Sequence, residues 1–357
     1  MSIELKKENV KVLGRSAVLE AGVALDHSAS SLEFTSIGAT RIYLTGSYAN
    51  KQSGNDLYFT VYINGERQAE RIKFKPGEST VLVAKELDST KTTSVKLVRE
   101  TEEKNGSFTA LNLNLGYAGR LGEKPKDNDL YIEFIGDSIT CGLGSLCGYV
   151  NADNDLTVGN EQSGTGPYKC GVDSRSDPSL CEDASNSYAY LAAEELNADY
   201  SFVSFSGIGV TSTNGNIPMS EYYKYASKSR NELYNFTNAR KPDLVVINLG
   251  TNDEFAYYDP DINLNIDDYK NGVKALIQKV RDSYGPNVKI LWATGLMGTA
   301  LKKHTEAAIG ELDKQDNIYH FTKLTQGGDG HSWHPSKDQQ KTAAQDLVRY
   351  LHEKNIF

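Results

Sequence analysis

Tryptophan is scarce: the 357 residues hold two, against 21 tyrosines. A protein rich in phenols and poor in indoles offers hydrogen-bonding surfaces compatible with sugar binding. No apolar run approaches the ~20 residues of a membrane span, which excludes a bilayer-crossing helix. Basic residues are in deficit, with 38 Lys and Arg against 47 Asp and Glu for a formal net charge of −9. They form no cluster and no basic amphipathic stretch, so neither nucleic acid nor an anionic membrane is an expected partner. The substrate is expected to be neutral or weakly charged. There is no internal repeat and no low-complexity tract.

Cysteine is confined to one segment. Cys141, Cys147, Cys170 and Cys181 all lie in a stretch rich in Gly, Asn, Asp and Ser. No two are spaced Cys-x-x-Cys, so no metal site is read there. Four clustered cysteines suit disulfides that staple a long loop in an oxidising compartment. Residues 1–10 lack the apolar core of a signal peptide. The expectation is nonetheless a secreted, extracellular protein whose signal peptide is not part of this sequence, acting as a monomer.

The length suggests roughly two domains at about 150 residues each. Residues 1–119 carry strand signals and no convincing helix. Short β-rich runs, such as 41–45, 57–63, 80–84, 94–98 and 108–115, are separated by turn pairs that include Asn64-Gly65, Pro76-Gly77 and Asn105-Gly106. This pattern predicts an antiparallel sandwich. Residues 120–129, poor in apolar side chains, read as a linker. From 130 to 357 strands alternate with helices: strands at 130–135, 200–205, 243–249, 289–293 and 318–321, helices at 187–196, 267–284, 299–314 and after Pro335, with Ser336 as N-cap. That alternation predicts a parallel sheet covered on both faces. An insertion, 145–183, carries most of the cysteines.

The chain is organised around residues 131–142. The run 130–135 is apolar apart from Glu133, suiting a strand buried on both faces. It stops at Gly136, and Asp137 and Ser138 follow at the carboxyl edge, where open α/β sheets place ligands. Gly-Asp-Ser is also an ordinary turn followed by an N-cap, so the tripeptide alone leaves nucleophile and turn both open. Three later strand-end or loop segments decide between them, those of Gly207, Asn252 and His334. A serine needs a base of near-neutral pKa to attack an ester, and an imidazole supplies one. The oxyanion of the tetrahedral intermediate needs preset donors; the Ser138 and Gly207 amides and the Asn252 side chain are the candidates. Trp333, beside the base, is read either as a sugar-stacking side chain or as packing. Trp292, late in a strand, carries the same two readings, with core packing preferred. Asp137 is read as a hydrogen-bonding brace for the turn.

These segments resemble the blocks of the SGNH (GDSL-like) hydrolases: Gly136-Asp137-Ser138, Ser206-Gly207, Gly250-Thr251-Asn252-Asp253 and His334-Pro335, in order. The chain resembles carbohydrate esterase family 2 more closely still, through Gly136-Asp-Ser-Ile-Thr-Cys-Gly, Glu182-Asp183 with Tyr188-Ala-Tyr-Leu-Ala-Ala, Ser206-Gly-Ile-Gly-Val and Trp333-His-Pro. The resemblance covers nearly the whole chain. It implies a jelly-roll domain joined to an SGNH α/β domain, no metal or organic cofactor, and deacetylation of acetylated xylan or glucomannan by Ser138 and His334. The alternatives are a GDSL-type lipase or thioesterase acting on longer acyl groups, and a non-catalytic carbohydrate-binding protein. Related enzymes usually carry an aspartate three residues before the histidine; here that position is His331. Asp329 could fold back to orient His334. Otherwise a main-chain carbonyl does so, as the family 2 resemblance allows, and this Ser-His dyad is the preferred reading.

Overall fold

The computed structural model describes residues 2–50, 56–146, 181–313, 316–328, 330 and 333–357. The chain divides into two compact units. One comprises Met1–Asn128 with Ala226–Tyr234, the other Asp129–Tyr225 with Asn235–Phe357.

In the first unit the described strands of the two sheets pair antiparallel. Its principal strands are β1 (Val23–Ala24), β2 (Ser31–Ile37), β3 (Ile42–Asn50), β4 (Leu57–Ile63), β5 (Ile72–Phe74), β6 (Gly77–Ala84), β7 (Thr92–Arg99) and β8 (Gly106–Asn114). They form two sheets, ordered β1-β8-β3-β6 and β2-β7-β4-β5, and all but β4 and β5 alternate between them along the chain. Alternation along the strands supplies a shared core, with Phe34, Leu44, Phe59, Phe74, Leu97 and Phe108 inside. Asn64 and Gly65 both take positive φ, 51° and 83°, the conformation a two-residue hairpin requires, and β4 pairs back with Glu66–Arg67.

The unit's boundary differs from the linker expected at 120–129. Arg120–Leu121 pairs with β2, and the Lys126 carbonyl accepts from Lys11 at 2.9 Å. Residues 226–234 join this unit although they lie far along the sequence. The reason is electrostatic. Asp26 and Glu103 are each 1% exposed and need partners there. The Arg230 guanidinium donates to Asp26 at 2.7 Å, and Glu103 accepts from the Ser227 hydroxyl at 2.9 Å and the Ser229 amide at 2.8 Å.

The second unit contains β9 (Tyr131–Gly136), β10 (Asp199–Ser204), β11 (Leu244–Asn248), β12 (Ile290–Ala293) and β13 (Ile318–Phe321), all parallel in the order β10-β9-β11-β12-β13. Its helices include α1 (Ser138–Cys141), α2 (Tyr188–Glu195), α3 (Thr251–Tyr258), α4 (Ile266–Tyr284), α5 (Lys302–Gly310) and α6 (Lys337–Glu353). On α4, Tyr269, Val273, Leu276, Ile277 and Val280 are buried, the stripe that the 3.6-residue period predicts. The α5 helix is shorter than its expected span of 299–314, and α3 has no counterpart among the helices expected from sequence. Glu133, the polar exception in β9, is wholly buried. It accepts from Tyr223 at 2.5 Å and from Ser201 and Tyr284 at 3.1 Å each.

The strand order reverses direction at β9, so the crevice between the carboxyl ends of β9 and β11 is the switch point at which such sheets bind ligands. Ser138 opens α1 one residue beyond β9, and Asn252 lies at the start of α3, after β11.

Candidate active site

Every residue of β9 is buried, and the chain must turn sharply at its end to start α1. Gly136 permits this, because a Cβ there would lie 2.0 Å from Thr140 Oγ1. Asp137 caps α1 by accepting from the Ile139 amide at 2.9 Å, the brace read from sequence. Ser138 therefore occupies the first helical position, where the backbone amide has no intrahelical acceptor.

The histidine arrives from the other end of the unit. Ser336 and Gln339 form a capping box at the start of α6, with the Ser336 amide donating to Gln339 Oε1 at 3.0 Å. The Gly330 amide donates to the His334 carbonyl at 2.7 Å. Trp333 takes φ of 64°, uncommon for a bulky residue and a form of strain that concentrates at functional sites. Between these anchors His334 Nε2 lies 2.7 Å from Ser138 Oγ, although 196 positions separate the two in sequence. Ser138 is 7% exposed, so the pair is partly withdrawn from water.

Gly207 and Asn252 reach the same neighbourhood through a shared loop. Gly207 has φ of 83°, and its carbonyl accepts from Thr213 Oγ1 at 2.8 Å and Asn214 Nδ2 at 3.1 Å. Asn252 Nδ2 donates to the Ile208 carbonyl at 2.9 Å and lies 3.4 Å from Asp137 Oδ2. Its Oδ1 accepts from Asn214 Nδ2 at 3.2 Å. Ser138, His334 and Asn252 are thus linked by direct or one-residue contacts, with Gly207 joined through Asn214.

Sequence reasoning passed over three braces. Asn214 is one. Asp253 is the second: it accepts from the Val210 and Thr211 amides at 3.0 and 2.9 Å and from Thr211 Oγ1 at 2.6 Å, tying α3 to the 208–211 loop. Burial pushes its carboxyl above the ordinary range, against the hydrogen bonds from Thr211. Gly209 must lack a side chain, since a Cβ would fall 2.6 Å from Asp253 Oδ2. Gln340 is the third, donating to the Ile139 carbonyl at 3.1 Å while accepting from the Tyr188 amide at 2.8 Å. It binds the nucleophile turn to α2 and α6. Polar residues spaced this far apart give no local signal.

Other expected residues fall as follows. Trp333 is 60% exposed. Trp292 is fully buried in the sheet core, the preferred of its two readings, and the alternative of a substrate contact falls away: a strand of a parallel sheet covered on both faces has no open side. Cys141 and Cys181 are buried, and the Leu146 amide donates to the Cys181 carbonyl at 3.3 Å. Cys147, Cys170 and the pairing they would make, like Asp329 and His331, lie outside the described residues. Among the described residues no cluster of His, Cys, Asp or Glu has the arrangement to hold a metal ion, and no helix is long and apolar enough to cross a membrane.

A parallel sheet with serine and histidine meeting at its switch point defines a hydrolase-type α/β fold. Residues 134–320 match the GDSL-like Lipase/Acylhydrolase family, and the chain belongs to that family. It is 30% identical over 273 residues to the cellulase/esterase CelE of Acetivibrio thermocellus, covering 72% of this chain and 30% of that protein. It is 24% identical over 269 residues to an acetylxylan esterase / glucomannan deacetylase of Cellvibrio japonicus, covering 72% and 66%. The chain thus spans less than two thirds of either relative. In fold it is similar to the acetyl xylan esterase Est2A of Butyrivibrio proteoclasticus, with TM-score 0.81, 22% identity and 100% and 99% of the two chains covered. It is also similar to a family two carbohydrate esterase from Clostridium thermocellum in complex with cellohexaose, with TM-score 0.78, 24% identity and coverage of 97% and 98%.

Proposed function

We propose that the protein is a secreted serine esterase of carbohydrate esterase family 2 that removes O-acetyl groups from plant cell-wall polysaccharide, acetylated xylan or glucomannan. The observation that carries the reading is the 2.7 Å contact between Ser138 Oγ and His334 Nε2. It is the spacing a general base needs to take a proton from its nucleophile.

In this reading Ser138 attacks the acetyl carbonyl as His334 accepts its proton. The Ser138 and Gly207 amides and Asn252 Nδ2 stabilise the oxyanion. His334 then protonates the departing sugar hydroxyl, and an acetyl-serine remains. Water activated by His334 attacks it, releasing acetate and restoring the serine. The names of the relatives, an acetylxylan esterase / glucomannan deacetylase among them, support the acyl group and the carbohydrate acceptor. So does the carbohydrate bound in a structural neighbour. The two antiparallel sheets of the first unit, between which the chain crosses repeatedly, support a jelly roll.

The test is acetate release from acetylated glucomannan and acetylated xylan by the wild type and by Ser138→Ala. The expected result is release by the wild type and a loss of ~10³-fold or more in the variant. Release by neither protein, or an unchanged variant, overturns the reading. Activity that climbs steeply with acyl-chain length would replace it with a lipase or thioesterase.

A further inference from the structure

The large apolar side chains that the second unit leaves in water fall mainly on one helix and the loop after it. Among its described residues these are Phe255 (61% exposed), Tyr257 (37%), Tyr258 (66%), Ile262 (56%), Trp333 (60%) and Phe357. All but the last lie on α3, in the loop just after it, or next to His334. Isolated exposed hydrophobics are ordinary, but a local concentration marks an interaction surface.

The placement follows from the helix itself. Asp253 and Ala256 are the buried residues of α3, which turns Phe255 and Tyr258 outward. Asn252 and Phe255 are three positions apart, so they adjoin on the helix surface with Cβ atoms about 5–6 Å apart. Tyr258 is one further turn along, and its ring meets that of Tyr257 edge-on at 5.2 Å. The exposed face is therefore continuous with the residue whose amide is assigned to the oxyanion.

Charge narrows what would cover it. Residues 251–269 contain no Lys or Arg, and besides buried Asp253 they carry five carboxylates, at Glu254, Asp259, Asp261, Asp267 and Asp268, with Lys270 following. Anionic lipid or nucleic acid would be repelled. A neutral chain whose rings present C–H faces to aromatics and whose hydroxyls donate to carboxylates is complementary.

We propose that the Phe255–Tyr258 face of α3 is a docking shelf for the sugars flanking the acetylated residue of a neutral polysaccharide. The inference rests on the esterase reading for the position of the reacting sugar. The shelf would act on substrate capture, with Phe255 supporting the ring beside the acetylated one and Tyr258 the next.

The test is retention in native gels containing soluble glucomannan, using Phe255→Ala, Tyr258→Ala and Phe255→Tyr in the Ser138→Ala background, where turnover cannot alter the polymer. Retardation of the parent, its loss by about tenfold in affinity in each alanine variant, and its retention in Phe255→Tyr support the shelf. With the nucleophile intact, the alanine variants should raise KM for acetylated glucomannan by a similar factor, with the effect concentrated in KM rather than kcat. Retardation equal in all variants overturns it. So does loss of a concentration-dependent dimer, or of phosphatidylcholine-vesicle binding, in the alanine variants without any change in glucomannan retention. Wild-type turnover of p-nitrophenyl acetate reports the esterase reading separately: no turnover with shelf-dependent retention rejects catalysis and keeps the shelf.

Discussion

The Asn214 side-chain amide donates to Asn252 Oδ1 at 3.2 Å and to the Gly207 carbonyl at 3.1 Å. One loop residue thereby orients both the amide and the glycine assigned to the oxyanion. With Oδ1 held this way, Asn252 Nδ2 is turned toward the Ile208 carbonyl and Asp137 Oδ2.

Asn214 itself has φ of 50°, so Asn214→Gly keeps the backbone relaxed while deleting the donor. The expected result is a fall in kcat on the order of tenfold with KM little changed. That is smaller than the roughly 10²–10³ lost when an oxyanion donor is deleted outright, which Asn252→Ala should display. Steady-state kinetics on p-nitrophenyl acetate checks both; a fall confined to thermal stability would give Asn214 a structural role only.

Glu133 gathers hydroxyl donors from Tyr223, Ser201 and Tyr284 inside the sheet. Glu133→Leu leaves those donors buried without their acceptor. The expected destabilisation is about 3 kcal/mol, read from urea unfolding, whereas Tyr284→Phe should cost nearer ~1 kcal/mol.

Trp292 fills the core, so its substitution should act on stability alone. Trp292→Ala is expected to cost about 3–5 kcal/mol. KM for acetylated glucomannan, measured at a temperature where the variant is folded, should match the wild type. A raised KM would return Trp292 to the substrate contacts.

His27 is wholly buried, with Nε2 at 3.0 Å from the Ala226 carbonyl, to which it can donate. Burial lowers its pKa, partly opposed by Glu103. The unfolded chain therefore takes up a proton at a pH where the folded protein refuses it. Stability should fall as pH drops below the unfolded value of about 6.5, and the loss should continue down to the depressed folded value. His320 is lowered in the same direction by burial. Comparison of thermal midpoints for the wild type and His27→Gln across this range isolates His27; equal slopes would refute the assignment.

The fold class was legible because periodicity is a local property. The stripe of α4 and the apolar run of β9 both follow from which residues must leave water. The candidate pair could be named for a different reason: a serine and an imidazole are a nucleophile and base suited to acyl transfer, and each stands at a strand end or loop. The helix at 251–258 was not legible, because its exposed aromatic side chains break the amphipathic pattern by which surface helices are recognised. Trp292 could be read two ways because an aromatic near the end of a strand packs inward or faces a ligand according to what covers the sheet.

Residue order alone was enough for the class of chemistry, the β and α/β architectures and the choice of candidate nucleophile and base. Which residues brace the site and the units emerges only in the folded chain. Asn214, Asp253 and Gln340 act through hydrogen bonds to residues on other elements, and Arg230 draws its segment into the first unit through buried Asp26. Such contacts depend on where the folded backbone brings donors and acceptors together, a relation that no local periodicity encodes.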